Sequence, residues 1–154
     1  MLDITIPAYL LVQQYLTVEY GPVIELSSGN GFRSNPETEL FISILTSKRR
    51  YRDKRIVNNS LPGKITFRVS DRMSVDEHRI DVNFEKIVSI NAHFKRRILH
   101  ELYKHMLLVG GNYKEASERW LDFHELDDEA VTWVAIEQGF YRYKREMKAK
   151  GLIL

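Results

Sequence analysis

The chain has 154 residues, 44% of them hydrophobic and 29% charged, with a formal net charge of +2, the composition of an ordinary globular chain able to bury a sizeable core. It contains no cysteine, which excludes a disulfide framework, a thiol nucleophile and a thiolate metal site. No apolar run approaches the ~18 residues of a membrane span, and Met1-Leu2-Asp3 lacks the basic and apolar regions of a secretory signal, so the expectation is a cytoplasmic protein without a membrane partner.

Ile4 and Ile6 alternate with polar neighbours and predict a short first strand. Pro7 suits the first position of a helix, where its missing N–H has no partner to lose. A helix from Pro7 to about Glu19 would carry Leu11, Tyr15 and Val18 on one face, stopped by Tyr20-Gly21-Pro22. Residues 23–26 predict a second strand, and residues 27–35 a loop. In that loop Gly29-Asn30-Gly31 lacks both the Lys-Ser/Thr of a P-loop and the third glycine of a dinucleotide fingerprint, so it reads as a plain turn.

Asn35-Pro36-Glu37 predicts the start of a further helix, with Leu40, Phe41, Ile44 and Leu45 as its buried stripe. The run Lys48, Arg49, Arg50, Arg52, Lys54, Arg55 follows its end, where cations are favoured by the helix dipole. The same run reads as a basic arm for phosphates, with Tyr51 able to stack on a base. Beyond the turn Leu61-Pro62-Gly63, residues 64–69 and 79–84 both alternate and predict two strands, paired as an antiparallel hairpin.

From about Glu85 the period changes to 3.6. Ile87, Phe94, Ile98, Leu102 and Val109 form a buried stripe, while His93, Arg97, His100 and Lys104 gather on a basic face. Gly110-Gly111 should end this helix in left-handed geometry. Asn112 caps the next, with Tyr113, Ala116, Trp120 and Phe123 as apolar contacts. After a tight connection at 124–126, Asp127 caps the last helix, with Asp128 and Glu129 in its first turn. There Trp133, Ile136, Phe140, Tyr143 and Met147 form an inward seam, and Tyr141, Arg142, Arg145 and Lys148 lie on a separate, exposed side. The expected architecture is α+β: a small, mostly antiparallel sheet with flanking helices, followed by a C-terminal three-helix region. It divides into an α/β part at 1–84 and a helical part at 85–154, or forms one compact domain.

His100-Glu101 with His105 fails as a zinc-protease motif, because histidines five apart sit about 140° apart on a helix. His93 and His100 share a face but have no carboxylate at ligand spacing. Asp81, Glu85 and Lys86 come nearest to a metal-dependent nuclease but lack its acidic-x-Lys spacing. No Gly-x-Ser-x-Gly elbow is present. Neither a metal nor an organic cofactor is expected.

Charge is sorted along the chain. Residues 48–55 carry six basic groups and one acidic, residues 112–140 two basic and eight acidic, and residues 141–154 five basic and one acidic. Such segregation makes local fields that the whole-chain charge hides. The helix at 113–123, the connection at 124–126 and the final helix have the outline of a helix-turn-helix, with the basic end, Tyr141 to Arg145, suited to phosphate contacts. Residues 83–145, closing in Phe140-Tyr141-Arg142-Tyr143-Lys144-Arg145, resemble small proteins of bacterial phages and conjugative transposons; the resemblance implies a DNA-associated role in a mobile element. The reading from sequence is a non-enzymatic DNA-binding protein whose Arg49, Arg50, Arg52, Arg97, Lys104, Arg142, Arg145 and Lys148 contact phosphates. The alternatives are an assembly module forming a homodimer through the acidic 112–140, and a nuclease.

Overall fold

The computed structural model describes residues 2–26, 44, 61–69 and 83–154. Strand β1 (Leu2–Ala8) leads into helix α1 (Leu10–Tyr20) and strand β2 (Val23–Leu26). Strand β3 (Gly63–Val69) lies in the middle of the sheet, in the order β1-β3-β2. The alternation at 64–69 behaves as expected: Ile65, Phe67 and Val69 are buried, opposite the buried Ile4 and Ile6 of β1. The other sheet face is wet. On it Thr5 and Thr66 share a hydroxyl–hydroxyl hydrogen bond of 2.9 Å. Arg68 donates to both carboxylate oxygens of Asp3, at 2.9 and 3.1 Å, and these bonds hold the Asp3 carboxyl below the ordinary carboxylate range.

The α+β class holds, but the sheet is mixed rather than mostly antiparallel: β1 runs antiparallel to β3, and β2 parallel to it. The hairpin partner expected at 79–84 falls largely outside the described residues. At its end the chain is already turning into helix α2 (Phe84–Val109). The Asn83 side chain accepts the Lys86 N–H at 2.9 Å, satisfying one of the orphan donors of a helix start. Phe84 is the first helical residue and 47% exposed. Alternation read over six residues does not register that cap.

Pro7 is a strand residue, paired with Lys64, and α1 begins three positions later. β1 is an edge strand, where a residue without an N–H is tolerated. The Pro7 carbonyl accepts from Asn91 Nδ2 at 3.0 Å, and the Tyr9 N–H gives to Asn91 Oδ1 at 2.9 Å. Asn91, wholly buried on α2, thereby satisfies the backbone where the chain leaves the sheet. The face of α1 that is buried carries Leu11, Val12 and Leu16, while Val18 is exposed. Ile44, expected on a buried stripe, is helical and buried.

α2 buries Val88, Ile90, Phe94, Ile98, Leu102, Tyr103 and Met106. Val109, expected in this stripe, lies past the last packed turn and is exposed. Gly110 and Gly111 take φ of +66° and +68°, the left-handed geometry that ends the helix. Asn112 caps α3 (Tyr113–Phe123), accepting the Glu115 N–H at 3.2 Å. Ala116, Ser117, Trp120 and Leu121 bury, but Phe123 is 80% exposed, because its place in the last turn overhangs the contact. The Asp127 cap works on a separate single turn, accepting from the N–H groups of Glu129 and Ala130. The last helix, α4 (Trp133–Ala149), starts later and is capped by Thr132. Its seam is as expected, with Ile136, Phe140 and Tyr143 buried and Trp133 and Met147 packed against them. Buried residues of the sheet and of these four helices belong to one apolar cluster.

Two predictions follow from the packing of α2 and α3. Asn91→Ala removes the bonds to the Tyr9 N–H and the Pro7 carbonyl at a part-buried turn, so urea denaturation should show a loss of roughly 1–3 kcal/mol. His124 stacks on Tyr15 and meets Trp120 at a tilt, with ring centroids at 5.1 and 4.1 Å. Burial lowers its pKa below 6.5, opposed by Glu19 and assisted by His105. The neutral form thus favours the fold, and that stability, complete above the unfolded value near 6.5, is lost as pH falls through the folded value. In His124→Gln the drop in urea midpoint between pH 7.5 and 5.5 should shrink.

Candidate nucleic-acid interface

α4 lies antiparallel to α2. Tyr103 meets Phe140 at a ring distance of 6.2 Å, and His100 meets Tyr143 at 5.3 Å. Beside these contacts the two helices line a groove of about 440 Å³, walled by Arg96, His100 and Tyr103 from one side and Arg142, Glu146 and Lys150 from the other. Gly139 lets the two helices close here. A Cβ at that position would overlap Tyr103 Oη and stand 2.8 Å from Cζ. Burial raises the Tyr103 phenol above its ordinary pKa of 10, and the charge of Arg142 pulls the other way.

The candidate cations separate into three sets. Arg49, Arg50 and Arg52 lie outside the described residues. Arg97 lines a different cleft, between α1 and α2, together with Tyr15, Phe94 and Glu101. Lys104 is paired with Glu101, Nζ to Oε1 at 3.2 Å. Arg142, Arg145 and Lys148 are all exposed on α4. At about 100° per residue each step of three turns the direction by about 60°, so they sweep from the groove rim across the outer surface. Among the described residues none of Arg96, Arg142, Arg145, Lys148 and Lys150 forms an ion pair. Lys144 is engaged: it donates to the Tyr113 hydroxyl at 3.4 Å and sits over that ring.

The structure therefore brings Arg142 together with Arg96 and Lys150, not with Arg97 and Lys104. Arg96 and Lys150 were not among the candidates. The signal that could have found Arg96 is its alignment with Leu99, His100 and Tyr103, at helical spacing and matched to the 139–142–146–150 row of α4. The helix-turn-helix outline is not met as expected, since residues 124–132 separate α3 from α4 and a three- or four-residue turn is the norm. The acidic first turn expected for the last helix is absent, because Asp127, Asp128 and Glu129 precede α4.

Among the described residues no group of three or more histidines and carboxylates is placed to hold a metal ion. Glu85 sits in the exposed first turn of α2 and Lys86 is buried, while Asp81 lies outside the described residues. No helix among the described residues is long and apolar enough to cross a membrane. No protein-family model, curated protein or solved structure matches the chain.

The close approach at Gly139 is testable. Alanine in place of glycine inside a helix ordinarily stabilises by about 1 kcal/mol. Here Gly139→Ala should instead destabilise, by about 1–3 kcal/mol as for other overpacked cores. Urea denaturation of Gly139→Ala with Tyr103→Phe should recover part of that loss, since the overlapping hydroxyl is then gone.

Proposed function

We propose that the protein binds nucleic acid, with DNA as the expected partner, and performs no chemistry on it. The observation that carries this reading is the exposed basic surface of α4 (Arg142, Arg145, Lys148), extended by Arg96 and Lys150 and unneutralised by ion pairs among the described residues. Cations that already have carboxylate partners have less to gain from a phosphate; these have none. Contacts of this kind supply affinity and register, not sequence discrimination. The likeness of 83–145 to phage and transposon proteins, read from the sequence, agrees with DNA as the partner and with a role in a mobile element.

A second reading is self-assembly. It draws on the exposed carboxylates of α3, Glu118 and Asp122, which are opposite in sign to the outer face of α4, and on the exposed Phe123 beside them.

Titration of a fluorescent DNA duplex at several salt concentrations separates the two. Binding should weaken linearly in log–log form as salt rises, and Arg145→Ala should reduce the slope by about one unit. No binding, or binding insensitive to salt, rejects the nucleic-acid reading. Sedimentation showing a salt-sensitive dimer without DNA affinity supports assembly instead.

A further inference from the structure

The groove between α2 and α4 differs in character from the open basic surface beside it. It is bounded on two sides, and its volume of about 440 Å³ falls in the range of small-ligand sites rather than of a running duplex contact. Among the described residues its charged side chains are Arg96, Arg142 and Lys150 against the single carboxylate of Glu146, a sum of +2.

Tyr103 supplies a second, independent observation. The residue is only 6% exposed and lines the groove, yet its hydroxyl makes no hydrogen bond among the described residues. Buried hydroxyls are normally satisfied. Gly139, with no side chain, leaves the space that the hydroxyl occupies. A donor held against a cationic groove, with nothing to donate to, calls for an anionic acceptor.

We infer that this groove seats a terminal phosphate monoester, on a nucleic-acid strand or a free nucleotide, with Arg96, Arg142 and Lys150 as counter-charges and Tyr103 Oη as hydrogen-bond donor. A monoester carries about −1.5 to −2 at pH 7, which matches the groove's sum of +2; an internal diester carries only one charge. Arg96 and Arg142 each offer a planar fork suited to two phosphate oxygens at once. His100, at the groove wall beside Tyr143, adds a further ring N–H. The strand form of this inference rests on the nucleic-acid reading above, whereas the phosphate seat does not.

The test uses the full chain and three single-stranded oligonucleotides of one sequence, labelled internally: one with a 5′-phosphate, one with a 3′-phosphate, one with hydroxyls at both ends. Fluorescence anisotropy should show at least one phosphorylated strand bound tenfold or more tightly than the hydroxyl strand. Tyr103→Phe, which removes only an unpartnered hydroxyl and should fold normally, should bring that ratio towards one while leaving the hydroxyl strand's affinity unchanged, and Arg96→Gln should also bring the ratio towards one while weakening all three strands. Equal affinity for all three strands overturns the phosphate seat and leaves the nucleic-acid reading standing. If no strand binds but adenosine monophosphate, unlike adenosine, shifts the NMR signals of the Tyr103 ring, the seat stands as a free-nucleotide site and the nucleic-acid reading is judged by the duplex titration alone. Silence in both experiments overturns the phosphate seat.

Discussion

Helix α2 is buried on more than one side, and the remaining elements are arranged to cover it. Phe94 stacks on Phe67 of the sheet, with ring centroids at 6.4 Å, and Leu16 of α1 lies beside Phe94 and Ile98 in one cleft. From the opposite flank Tyr103 reaches Phe140 and Tyr143 of α4. A 26-residue helix with apolar groups spread so widely cannot be satisfied by one layer. The sheet with α1 takes one flank, and α3 and α4 take the rest.

The same constraint decides what α2 can expose. Once Phe94, Ile98, Leu102 and Tyr103 are committed to the interior, Arg96 is forced towards α4 and Arg97 towards α1. Neighbours in sequence thereby come to face different partners. Arg97 enters a cleft that also holds Glu101, and the same glutamate pairs with Lys104, a contact that as a surface ion pair adds little stability but offsets part of that face's charge. Arg96 enters a groove where cations outnumber carboxylates. An interface built from α4 gains its α2 contribution through one position rather than through the whole basic face of the helix.

Asn91 plays the corresponding part at the sheet. Its side-chain amide bonds Pro7 O, Ile87 O and Tyr9 N–H, which pairs part-buried backbone groups where the chain leaves an edge strand and enters α1. A residue that looks like a polar interruption of an apolar stripe is thus what permits the stripe to pack so tightly against that turn.

Much of the local structure is written in the residues themselves. Alternation at 64–69 specifies an inward face because successive side chains in a strand point to opposite sides. Gly110-Gly111 and Asn112 specify one helix end and the next helix start through backbone freedom and a side-chain acceptor. The spacing of Ile136, Phe140 and Tyr143 specifies the inner face of α4. Other features depended on partners distant in the chain. Pro7 belongs to a strand because β3 and Asn91 receive it there, and β2 is parallel because of where it meets β3. The groove needed α4 to lie antiparallel on α2, so that Arg96 met Arg142 and Lys150 beside a phenol packed against Gly139. Periodicity tells which side of a helix is charged and which is apolar. Only the packing of one helix on another tells which charges share a space, because that depends on crossing geometry and close approach between residues some forty positions apart.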